Sequence, residues 1–71
     1  MDANIKEYLA YVEETLMRKY DLNQDLSQKI IQASYLFPSI IDYPEECLHE
    51  DIEGVADNIY QDYMEGRLWT A

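Results

Sequence analysis

The hydrophobic pattern is clearest between Glu50 and Gly66. Apolar residues recur there at the i, i+3, i+4, i+7 spacing of one helix face: Ile52, Val55, Ala56, Ile59, Tyr60, Tyr63 and Met64. Asp51 precedes this stripe as a candidate N-cap, and Gly66 follows it where a left-handed residue commonly ends a helix. The pattern predicts an amphipathic helix with an aliphatic and aromatic inner face and an acidic outer face.

Residues 1–20 show a second amphipathic pattern. Their apolar positions again have helical spacing: Ile5, Tyr8, Leu9, Val12, Leu16 and Tyr20. Arg18 and Lys19 lie near the expected C-terminal end, where positive charge interacts favourably with the helix dipole. The sequence therefore predicts a first helix that buries this stripe.

The middle of the chain predicts a helix from about Gln24 to Leu36, with Asn23 as its N-cap. Its inner stripe is Leu26, Ile30, Ala33 and Phe37. Ile31 and Tyr35 project from the other side. A helix that is apolar on two sides is either sandwiched between neighbours or presents its second face to another molecule.

Two prolines mark the segment that follows. Pro38 is expected to force Phe37 out of helical geometry and to end or kink the helix there. Beyond it, Ile40 and Ile41 would both fill the core if they form one helical turn. Pro44, followed by two glutamates, suits the first turn of a short helix.

The patterns together predict an all-α fold, a small bundle of three principal helices plus one short connecting helix. No segment alternates apolar and polar residues in the manner of strands, and the chain has only two glycines. With 71 residues it is expected to form a single acidic domain, near the lower limit for folding on one core.

Cysteine content and hydropathy predict a cytoplasmic protein. A single cysteine, Cys47, allows no intramolecular disulfide, and no cleavable signal peptide is recognisable. The longest charge-free stretch runs from Ile30 to Ile41 and is too short to cross a bilayer. We therefore expect no membrane association.

Charge is the strongest compositional signal. Fifteen acidic residues oppose five basic ones, which gives a net charge of −10, and no Lys or Arg occurs between Asp42 and Glu65. Direct binding of nucleic acid is disfavoured, because neutralising phosphates requires Lys and Arg. Such a surface attracts a basic protein partner, although acidic surfaces also serve simply to keep small proteins soluble.

Candidate chemistry is sparse. Glu46 and His49 have the Glu-x-x-His spacing of di-metal bundles, but such sites need two pairs and two further glutamates, so only a homodimer would complete one. Cys47 and His49 are two residues apart and leave a regular helix on different sides. Phosphate-binding and EF-hand loops are absent from the sequence. We predict no metal, no cofactor and no enzymatic activity.

The sequence thus predicts a non-enzymatic interaction module that binds a basic protein partner, as an inhibitor, an antitoxin-like neutraliser or an accessory subunit, with DNA mimicry as one form. The expected contact residues are Glu50, Glu53, Asp57, Asp62, Glu65, Ile31, Tyr35 and Trp69. Tyr11 and Tyr43 are also expected at the surface. The alternative is a self-associating structural domain, in which Ile31, Tyr35 and Trp69 form a homodimer interface and the acidic residues only solubilise it.

Overall fold

The computed structural model describes residues 3–67 and contains only helices and their connections in that range. The helices are α1 (Ala3–Tyr20), α2 (Gln24–Gln32), α3 (Leu36–Asp42), α4 (Pro44–Cys47) and α5 (Ile52–Met64). The all-α prediction is confirmed. In place of three principal helices and one short one, the described residues form four helices of seven residues or more and one of four.

The predicted caps of α2 and α5 are present. Asn23 accepts a hydrogen bond at 2.8 Å from the backbone N–H of Leu26, and Asp51 accepts one at 2.9 Å from that of Gly54. Gly66 follows α5 with φ of 71°, the left-handed conformation expected at a helix end. These groups satisfy backbone atoms that helix ends leave without partners, so the boundaries of α2 and α5 are largely encoded locally.

The prediction for Pro38 was wrong. α2 already ends at Gln32, and α3 begins at Leu36 and continues through Phe37 and Pro38. Pro38 is the third residue of α3. The first amides of a helix have no acceptor within it, so the missing N–H of a proline costs nothing at this position.

Ser34 forms the turn between α2 and α3. Its buried hydroxyl donates to the carbonyl of Ile31 at 2.6 Å and accepts from the backbone N–H of Leu36 at 3.3 Å. Serine side chains that bond to nearby backbone in this way compete with helix continuation. The local bonding of Ser34 therefore explains why the helix stops here, several residues before the proline.

Two buried serines should respond in opposite directions to alanine. Ser27 is fully buried in α2, and its hydroxyl has no hydrogen-bond partner in the described part of the chain. We expect Ser27→Ala to raise the free energy of unfolding by about 1 kcal/mol, because it removes a desolvated hydroxyl. Ser34→Ala should lower it by about 1–2 kcal/mol, because it leaves the Leu36 amide without its side-chain partner. Urea denaturation measures both changes. A destabilised Ser27→Ala protein would contradict the finding that the Ser27 hydroxyl is buried without a hydrogen-bond partner.

The core lies where α1 packs against α5, with α2 and α3 closing its sides. The largest fully buried apolar side chains are Leu16, Leu36, Ile40, Ile59 and Val12. The stripe of α5 is buried at Val55, Ala56 and Ile59, as predicted, but Tyr63 and Met64 are exposed. The last turn of α5 therefore extends beyond the core.

Two pairs of neighbouring isoleucines, one in α2 and one in α3, differ in their burial. Ile30 and Ile31 are both buried, so α2 is apolar on two sides because it packs between α1 and the pair α3 and α5. Ile40 is completely buried, whereas Ile41 is 50% exposed, so only one of this pair fills the core.

Among the helices of residues 3–67, none combines the length and apolar character needed to cross a membrane.

Candidate interaction surface

Asp57, one of the predicted contact residues, is bound within the protein. Lys19 of α1 places its Nζ at 2.9 and 3.1 Å from the two carboxylate oxygens of Asp57, and Tyr20 donates its hydroxyl to the same carboxylate. The ring of Tyr20 stacks on Tyr60 of α5, with centroids 3.8 Å apart. This cluster joins the C-terminal end of α1 to the middle of α5. The Asp57 carboxylate, which was expected to contact a partner, is therefore bonded to Lys19 and Tyr20.

The cluster should make stability depend on pH in the acid range. The hydrogen bond from Tyr20, followed by that from Lys19, lowers the pKa of Asp57 below its ordinary value. Since the unfolded value is about 3.9, the stabilisation by Asp57 is present above that pH and is lost as the pH falls through the lower folded value. We expect Asp57→Asn to unfold at a lower temperature than the wild type at pH 7 and to unfold together with it near pH 2.

Thermal unfolding followed by circular dichroism at both pH values measures this difference. Glu14→Gln is the matched control, because it removes an exposed α1 carboxylate that bonds to no other side chain within residues 3–67. A gap between Asp57→Asn and the wild type that is the same at pH 7 and pH 2 would show that the Asp57 carboxylate is not what stabilises the fold.

Arg67 pairs with two more of the predicted contact residues and offsets one of their two negative charges. Its guanidinium lies 3.2 Å from Asp62 and also pairs with Glu65. Arg67 and Lys19 lie outside the cation-free stretch, yet the fold brings both to it. The expectation of an uncompensated acidic exterior along α5 is therefore corrected at Asp57, Asp62 and Glu65.

The remaining acidic residues of this stretch lie in α4 and in the segments on either side of it, from Asp42 to Glu53. Six exposed carboxylates of this stretch form no ion pair with any described residue. Asp51 caps α5, and we call the other five the α4 acidic surface: Asp42, Glu45, Glu46, Glu50 and Glu53. Glu50 and Glu53 belong to the set expected from the sequence. Asp42, Glu45 and Glu46 belong to the cation-free stretch but were not among the predicted contact residues, because composition does not show which carboxylates have intramolecular partners.

A groove between α3 and α4 adjoins this surface, and we call it the α3–α4 groove. Tyr35 and Tyr43 flank α3 at its two ends and are 48% and 63% exposed. Both line the groove, together with Glu46 and Glu50, and its volume is about 210 Å³. The predicted exposure of Tyr35 and Tyr43 is confirmed, and the structure brings them together with two unpaired carboxylates.

Glu50 is held in place from α1. The buried Tyr8 donates its hydroxyl to the backbone carbonyl of Glu50 at 3.0 Å. Burial, and then the Glu50 carboxylate, raise the pKa of Tyr8 to about 12, so this donor keeps its proton at neutral pH. Tyr8 thereby fixes the backbone at the edge of the groove.

Cys47 also lines the groove. Burial raises the pKa of its thiol, and the carboxylates of Glu50 and Glu46 raise it further. The thiolate is the nucleophilic form, so these surroundings disfavour a reactive cysteine. The groove therefore combines carboxylates and aromatic rings with a thiol whose surroundings disfavour the thiolate.

Three further predictions concern Ile31, Trp69 and the pair formed by Glu46 and His49. Ile31 is only 4% exposed and belongs to the core, so its assignment to a contact surface is corrected. Trp69 lies outside the described residues. Glu46 and His49 are exposed, and no group of three or more His, Cys, Asp or Glu side chains in the described range is arranged to hold a metal ion.

Comparison with known proteins identifies no relative of this chain. The chain matches no family model, and neither the curated proteins nor the solved structures contain a match to it. What the fold defines is an all-α protein with an acidic surface beside exposed tyrosines.

Proposed function

We propose that this protein is a non-enzymatic interaction module that binds a basic protein partner through the α4 acidic surface. The observation that supports the proposal is the distribution of ion pairs. Lys19 and Arg67 pair with three carboxylates in α5 and at its C-terminal end, whereas the five carboxylates of the α4 acidic surface form no ion pair within residues 3–67. The carboxylates of α1 and α2 form no ion pair in this range either, but Lys6, Arg18 and Lys29 lie among them in the sequence, whereas no Lys or Arg occurs between Asp42 and Glu65. The unbalanced negative charge therefore falls mainly in the segment that contains α4.

Such a surface has the two components that protein interfaces combine. The carboxylates attract a basic partner over distance and speed its encounter. Tyr35 and Tyr43 supply exposed aromatic area of the kind enriched at interface centres. This combination would suit an inhibitor, an antitoxin-like neutraliser or an accessory subunit. It would also suit a mimic of DNA, in which carboxylates occupy the positions of phosphates on a DNA-binding protein.

Self-association is the alternative, and it has less support. Ile31, one of the three residues of the expected homodimer interface, is buried. Two copies that each carry a net charge of −10 also repel each other. Tyr35 remains available to either kind of interface.

Affinity capture with two matched variants tests the proposal. One variant neutralises the α4 acidic surface through Glu45→Gln, Glu46→Gln, Glu50→Gln and Glu53→Gln. The control removes the same number of charges from α1 and α2 through Glu7→Gln, Glu13→Gln, Glu14→Gln and Asp25→Asn. A basic partner should be retained by the wild type and by the control but not by the α4 variant.

Ionic strength gives a second criterion in the same experiment. The partner should elute as salt approaches about 1 M, where the Debye length is roughly 3 Å. A partner that the α4 variant retains as well as the wild type does, or that resists this salt concentration, would contradict the proposal.

A further inference from the structure

We infer that the α3–α4 groove is the anchor site for one arginine side chain of the basic partner, with the guanidinium between Tyr35 and Tyr43 and bonded to Glu46 and Glu50. This inference rests on the proposed function and specifies where and how the partner is held. The bound side chain is positively charged because the ionised groups that line the groove, Glu46 and Glu50, are both acidic.

The size of the groove favours a single side chain. Its volume of about 210 Å³ is smaller than the ≈ 300–1,000 Å³ typical of small-molecule sites. Its floor is rigid, because Leu36 and Val55, which line it, are 1% and 4% exposed and belong to the core. A long side chain that enters from a partner would therefore meet a preformed surface.

The chemistry of the lining favours arginine over lysine. A guanidinium is planar, donates two parallel hydrogen bonds to a carboxylate and stacks on aromatic rings, whereas an ammonium is a compact and strongly hydrated charge. Tyr35 and Tyr43 offer aromatic rings at an exposed site, where cation–π attraction adds to the charge-assisted hydrogen bonds. Glu46 and Glu50 supply two carboxylate acceptors that no Lys or Arg of residues 3–67 occupies.

Two features of the fold hold these groups in place. Tyr8 fixes the backbone at Glu50 through its hydrogen bond to the carbonyl. The backbone N–H of Tyr43 bonds to the carbonyl of Ser39 at 2.7 Å, and the Tyr43 carbonyl accepts from the N–H of Cys47 at 3.1 Å. Tyr43 is thus bonded to both α3 and α4, so the two sides of the groove keep a fixed relation.

Titration with small probes tests the site without knowledge of the partner. The probes are the blocked amino acids Nα-acetyl-arginine amide, Nα-acetyl-lysine amide and Nα-acetyl-citrulline amide, the last having nearly the shape of arginine without its charge. In ¹H–¹⁵N correlation spectra of the full chain, arginine should cause saturable shifts at Tyr35, Tyr43, Cys47 and Glu50. Lysine should bind more weakly, and citrulline should cause no saturable shift.

Matched double variants locate the binding. Glu46→Gln with Glu50→Gln should weaken arginine binding by about tenfold or more, since charge-assisted hydrogen bonds are roughly twice as strong as neutral ones. Glu45→Gln with Glu53→Gln removes the same charge outside the groove and should change it by less than about twofold, given the weakness of exposed pairs. All four residues are exposed, and thermal unfolding checks that both proteins are folded.

The outcomes separate the site from the proposed function. Equal binding of citrulline and arginine, or equal losses in the two double variants, would overturn the arginine site. The proposed function fails on a different result, namely capture of the basic partner by the fourfold-neutralised α4 variant. A partner that is captured through charge but is equally sensitive to both double variants would leave the interaction module standing and refute the groove as its anchor.

Discussion

Replacing Ile40 with alanine should lower the free energy of unfolding by about 3 kcal/mol, whereas the same replacement at Ile41 should change it by less than about 1 kcal/mol. The two residues are adjacent in α3, so the change in side-chain size and in helix propensity is the same. They differ in burial, because Ile40 is completely buried and Ile41 is 50% exposed. The difference between the variants therefore isolates the contribution of burial and cavity formation.

The effect at Ile40 is large for so small a protein. A chain of 71 residues is expected to have a stability of roughly 4–10 kcal/mol, at about 0.05–0.15 kcal/mol per residue. Urea denaturation of both variants, followed by circular dichroism, measures the two losses. Equal losses of unfolding free energy in the two variants would contradict the burial of Ile40 in the core.

Ile31→Asp should leave the protein largely unfolded at room temperature. Ile31 is 4% exposed, so an aspartate there would be a largely buried charge, and Lys6, which lines the same pocket, is itself exposed to water. The effective penalty for such a charge is several kcal/mol, in addition to about 1.5–3 kcal/mol of lost apolar burial, which together approach the total expected stability. Loss of helical circular dichroism in the absence of denaturant is the measurement.

Tyr35→Asp is the control for this variant. Tyr35 lies four residues further along the chain and is 48% exposed, so the aspartate there remains in contact with water and the protein should stay folded. Sedimentation of Tyr35→Asp can therefore test self-association, while Ile31→Asp cannot, since any dimer would be lost through unfolding. A folded and soluble Ile31→Asp protein would contradict the burial of Ile31.

The parts of the fold that sequence reasoning predicted are those determined by local patterns. The stripe from Ile5 to Leu16 and that from Val55 to Ile59 have helical spacing and are buried, except for the partly buried Leu9. The caps Asn23 and Asp51 act within three residues of themselves, so their roles are visible in the sequence alone. Local hydrogen bonds and periodicity need no knowledge of distant contacts.

The break between α2 and α3 was not predicted, because two local signals compete there. Pro38 is the stronger sequence signal for a helix end, but at the third position of a helix it is harmless. Ser34 gives a weaker signal, and its effect depends on the hydroxyl being buried and bonded to both sides of the turn. Propensity alone does not rank these two possibilities.

The candidate site was predicted only in part, for a different reason. Lys19 pairs with Asp57 across 38 positions of sequence, and no local pattern indicates that contact. Counting charges between Asp42 and Glu65 therefore overstated the free negative charge of α5 and gave no preference to Glu46. The exposed tyrosines were predicted correctly because Tyr35 and Tyr43 fall off the expected stripes.

The pairing of α1 with α5 has a consequence for how the chain folds. Each of these helices has its most extensive contact with the other. Lys19 and Tyr20 bond to Asp57 of α5, and Tyr8 bonds to Glu50 just before α5, so these contacts close loops of about 40 residues. The entropy of closing such loops is lost before the contacts form, and a high proportion of distant contacts slows folding. Folding is therefore expected to be slower than in helical proteins whose neighbouring helices pack in chain order, with the first and last helices becoming stable together.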